Sequence, residues 1–83
     1  MRKEISMNDE QLENVVGGTV IISEDYMKIG FTTIGEMFDL KNCTYRQAMN
    51  SVADLKDEAK AQGLTNAEFD VMCRDKFAEW GWI

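Results

Sequence analysis

The chain has 83 residues, 45% of them hydrophobic and 29% charged, with a formal net charge of -6. That length holds one small domain with a thin core, and the apolar fraction is that of a chain able to fold. The acidic balance opposes nucleic acid and anionic membrane surfaces. Histidine is absent, which removes the commonest general base and zinc ligand, and two cysteines cannot complete a four-ligand zinc site. No enzymatic activity, metal or cofactor is therefore expected. The apolar runs are far shorter than the ~20 residues that span a bilayer, so no stable membrane insertion is expected.

Residues 1–18 begin with the basic pair Arg2-Lys3 and continue with a polar, acidic stretch that does not suit the general secretory route. Asn8 or Asp9 can cap a short helix, and Asp9, Glu10 and Glu13 suit its positive end. A helix of about two turns is marginal alone and would form on a partner surface. Gly17-Gly18 ends the pattern. At about 100° per residue, Met7, Val15 and Leu12 fall at about 0°, 80° and 140° around that helix, on one face that can enter a hydrophobic groove. Gln11 edges the same contact.

Met7, Leu12, Val15, Gly17 and Gly18 resemble the double-glycine leader of bacteriocin-type precursor peptides. Asn8, Gln11 and Met7 stand where serine, glutamate and leucine are common in that family. The resemblance implies synthesis in a bacterial cytoplasm and export by a peptidase-containing ABC transporter. The transporter's papain-like cysteine peptidase domain would bind the leader through Met7, Gln11, Leu12 and Val15 and cut after Gly18, so that Thr19 becomes the first residue of the secreted part. Glycine at both positions lets the backbone lie extended in a narrow cleft. The alternative is a small intracellular helical module that binds a protein partner and in which Gly17-Gly18 is only a helix stop.

Residues 19–22 are β-branched or threonine and can be extended. After Ser23, a possible cap, Met27, Phe31, Ile34 and Phe38 recur at helical spacing, with Gly30, Thr32, Thr33 and Gly35 working against a helix. Thr44 with Gln47, and Thr65 with Glu68, form two capping boxes. Behind the first runs the stripe Tyr45, Ala48, Met49, Val52, Leu55 and Ala59, stopped by Gly63. Behind the second runs Phe69, Met72, Cys73, Phe77 and Trp80, stopped by Gly81. The expectation is a mainly α protein: a flexible leader over residues 1–18 and a small three-helix cargo over residues 19–83.

Cys43 and Cys73 can form a disulfide closing a loop of about 30 residues, or remain free thiols with Cys73 packed on its stripe. Asp54 and Glu58 share a helical face as solvated surface. Trp80 and Trp82 suit a membrane interface or, more simply, the end of the last stripe. Residues 19–83 hold seven basic and eleven acidic groups, unlike a cationic membrane-active peptide. The target of the cargo is not legible in these residues.

Overall fold

A computed structural model of the chain describes residues 15–16 and 18–83. Four strands come first: β1 (Val15–Val16), β2 (Val20–Ser23), β3 (Lys28–Phe31) and β4 (Glu36–Asp39). Two helices follow, α1 (Tyr45–Gln62) and α2 (Asn66–Glu79). The strands form one antiparallel meander in the order β1-β2-β3-β4, in which β1 is only a two-residue edge. This is a mixed α/β fold with the sheet and the helices segregated along the chain.

The expected first helix of the cargo does not exist, so the mainly α, three-helix description is corrected. Phe31 lies in β3 and Phe38 in β4, while Met27 and Ile34 sit in the turns that join the strands. The spacing of 27, 31, 34 and 38 is matched equally by two short strands and their connections. Period-two alternation decides the matter: Val20 and Ile22 on β2, and Ile29 and Phe31 on β3, are fully buried on one face. Register places Ile22, Ile29 and Phe38 in one cross-strand row and Ile21, Gly30 and Met37 in the row on the opposite face. Gly30 and the β-branched Ile29, Thr32 and Thr33 make a helix here costly and a hairpin cheap. The β3–β4 turn ends on Gly35 at a φ of +66°, a conformation glycine adopts without strain.

The other two expected helices are present, and for the expected reasons. Both capping boxes are complete. The Thr44 hydroxyl accepts from Gln47 N–H at 3.0 Å while the Gln47 side chain accepts from Thr44 N–H at 2.7 Å. Thr65 and Glu68 repeat the exchange at 3.2 and 2.8 Å. At the far end of α1, Gly63 takes the left-handed conformation, and the Leu64 amide donates back to the Ala59 carbonyl. Ala48, Val52, Leu55 and Ala59 of α1 meet Phe69, Cys73 and Phe77 of α2 and the inner residues of β2 and β3 in one core. Trp80 departs from its expected place: it caps α2, stays 41% exposed, and stacks on Phe77 and Trp82 with centroids 5.6 and 4.9 Å away.

The sheet and the helices are therefore one cooperative unit. Phe31→Ala is expected to cost about 3–5 kcal/mol by leaving a cavity beneath the helices. Thr44→Ala and Thr65→Ala should each cost about 1 kcal/mol through loss of a cap. Urea denaturation followed by circular dichroism reads both effects.

Candidate processing site

The junction between residues 18 and 19 lies in the turn that joins β1 to β2. Gly18 is exposed at a φ of +87°, a conformation that L side chains rarely adopt, although a Cβ there would meet nothing within 4 Å. The constraint on Gly18 is thus backbone conformation and not space. The chain reverses between Val16 and Val20, which are cross-strand partners, as are Val15 and Ile21.

Thr19, one residue later, is only 7% exposed. Its carbonyl accepts from the Thr32 amide at 3.1 Å and from the Thr32 hydroxyl at 2.7 Å. Its own hydroxyl donates to Asp70 Oδ1 at 2.5 Å. Asp70 belongs to α2 and is fully buried. Its second oxygen, Oδ2, accepts from the Thr33 amide at 3.0 Å and the Thr33 hydroxyl at 2.6 Å. One carboxylate thereby ties α2 to the turn between β3 and β4 and to the residue that leads into β2. Among the described residues no ion pair includes Asp70; the cross-strand pair Lys28 with Asp39 and the pairs of Arg74 with Glu36 and Asp75 lie on the surface. Three neutral donors do the work that a buried carboxylate requires.

The residues expected to carry function fall in different places. Met7, Gln11, Leu12 and Gly17 lie outside the described residues. Val15 is in strand β1 and not in a helix; as a β-branched residue beside an open sheet edge it gains ladder hydrogen bonds that a lone helical turn cannot match. Gly18 and Thr19 adjoin each other at the sheet's entry. Cys43 and Cys73 are free thiols, Cys43 half-buried and Cys73 buried.

Asp70 was not among the expected site residues, yet the sequence carried a signal for it. Asp70, Cys73 and Phe77 stand at i, i+3 and i+7, so the carboxylate falls on the apolar face of α2, where an aspartate needs partners. What the sequence could not supply was the identity of those partners, which come from 37 and 51 residues away.

Burial pushes the Cys73 thiol up to about 12, helped by the Asp70 charge and opposed by Lys56; burial also raises that of Cys43. No group of three or more potential metal ligands occurs among the described residues, and none of their helices is long and apolar enough to cross a membrane. No protein-family model, curated protein or solved structure matches the chain.

Two outcomes follow. Iodoacetamide at pH 8 should alkylate Cys43 long before Cys73 in the folded protein, and both at similar rates in urea, as read by mass spectrometry. The raised Cys73 pKa keeps a proton in the fold that the unfolded chain releases. Its contribution to stability is therefore complete below pH 9 and lost as pH rises toward about 12. In Cys73→Ala the alkaline loss of stability should be shallower than in the parent chain.

Proposed function

We propose that this chain is the ribosomally made precursor of a secreted bacteriocin-type peptide. It is recognised through Met7, Gln11, Leu12 and Val15, cleaved after Gly18, and exported by a peptidase-containing ABC transporter. The observation that carries the proposal is the conformation at Gly18, an exposed turn residue at a φ of +87° immediately before the anchored Thr19. Among the described residues from Gly18 on, the core runs from Val20 to Phe77, and the Asp70 partners Thr19 and Thr33 lie in the same stretch. A cut there removes the resembled leader together with strand β1 and leaves the described core from Val20 to Phe77 on one product. Conformation supports the same position, since Gly18 can pass between its turn geometry and an extended strand in a peptidase cleft without a Cβ to obstruct either.

The folded chain also opposes the cut. A peptidase cleft takes an extended backbone, while Thr19 is held on both its carbonyl and its hydroxyl. Cleavage then requires local opening of the first hairpin, so the order of processing and folding becomes a matter of rates.

A second reading has its own observation. Ile21, Tyr26, Gly30 and Met37 help line an open groove of about 440 Å³ on the sheet face away from the helices, with Tyr26 and Met37 well exposed. Such a groove suits an interaction module that keeps residues 15–16 on the sheet and uses Gly18 as part of a turn. The strand before Gly18 replaces the helix stop in that alternative.

Incubation of the full chain with the peptidase domain of a double-glycine transporter distinguishes them. The expected product has the mass of a peptide starting at Thr19. Gly18→Val should abolish it, and Leu12→Ala should slow it about tenfold. Thr33→Val, which weakens the hold on Asp70, should speed cutting of the folded chain and leave the rate in urea unchanged. A chain that stays whole even when unfolded would exclude the leader reading.

A further inference from the structure

Among the described residues, the buried carboxylate of Asp70 accepts three hydrogen bonds and has room for one more. A carboxylate offers about four lone-pair sites. Oδ2 uses two of them, for the Thr33 amide and hydroxyl. Oδ1 accepts one bond, from the Thr19 hydroxyl at 2.5 Å. Its remaining site is on the oxygen that faces Thr19. The nitrogen of Thr19 is three bonds from that hydroxyl oxygen, hence at most about 4 Å from it, and lies within about 6 Å of the carboxylate. In the intact chain this nitrogen is a neutral amide.

Building on the cleavage reading, we propose that Asp70 is the receptor for the α-ammonium that processing creates at Thr19. Hydrolysis of the bond between Gly18 and Thr19 consumes one water, leaving a carboxylate on Gly18 and an ammonium on Thr19. The new cation arises beside a desolvated carboxylate whose partners among the described residues are neutral donors. Freed from Gly18, the first residue can turn so that the ammonium, no more than about 6 Å away, donates to Oδ1 while the hydroxyl keeps its bond. Charge-assisted bonds of this kind are roughly twice as strong as neutral ones, and low local polarity strengthens them. Cleavage thus does more than remove a leader: it draws the new N-terminus into the core and binds β2, the β3–β4 turn and α2 together through Asp70. Among the described residues, the neighbouring cations are engaged elsewhere. Lys56 of α1 lies over the Phe69 ring at 4.8 Å and reaches the Asn66 side chain, and Arg74 is engaged by Glu36 and Asp75.

The test compares two products cut from the full chain by an unrelated sequence-specific protease whose recognition sequence replaces the residues before the cut. One product begins at Thr19, the other at Gly18, and both lack β1. The product beginning at Thr19 should melt higher by about 6 °C or more, the displacement that one charge-assisted bond gives a domain of this size. Acetylating its α-amine should erase the difference, as should Asp70→Asn in both products. The acetylated form keeps the test valid if Asp70→Asn does not fold. Equal melting temperatures, or a difference that survives acetylation, would overturn the proposal. Because the cut is made without the transporter peptidase, that failure is separate from failure of the leader reading, which shows as an uncut parent chain.

Discussion

The rest of the molecule depends on one buried carboxylate. Asp70 sits at zero exposure within a small core, where an unsatisfied charge would cost more than the domain can spare. It is tolerated because three donors from two distant segments converge on it. The consequence is geometric. The turn between β3 and β4, the entry to β2 and the second turn of α2 must all be in place together, so the sheet cannot form its native edge without the helix, nor the helix bury its face without the sheet.

That coupling gives the junction at Gly18 its character. On one side the backbone is a flexible glycine with open space around it. On the other, Thr19 is fixed by its carbonyl and its hydroxyl. A boundary between a permissive residue and an anchored one is what a processing position needs if the product is to keep its fold. The same boundary imposes a cost on a peptidase that must straighten the chain before cutting it. In the proposed precursor, folding and processing would compete for the same few residues.

The two thiols illustrate how burial decides chemistry. Cys73 shares the apolar face of α2 with Asp70, and the carboxylate and the desolvation both hold its proton in place. Cys43, in the segment before α1, is only half-buried. Residues of the same type therefore differ in reactivity because one faces the core of the domain and the other its margin.

The helices were legible because their information is local. Thr44 with Gln47, Thr65 with Glu68, and the stops at Gly63 and Gly81 lie within one turn of the groups they satisfy, and the stripe behind each cap has a period that only a helix explains. The segment from 23 to 38 was not legible in the same way. Its apolar spacing fits both a helix and a pair of strands, and pairing of β3 with β4 and β2, with one face packed against the helices, settles between them. The resemblance of residues 7–18 to a leader likewise rests on the sequence alone. Tertiary structure decided that Val15 joins a sheet edge, that Thr19 and Thr33 meet on Asp70, and that Cys73 is deeply desolvated. For Asp70 the deciding partners lie 37 and 51 residues away, and only the fold brings them near; Val15 meets Ile21 six residues on, through a turn its own residues do not specify as helix or strand.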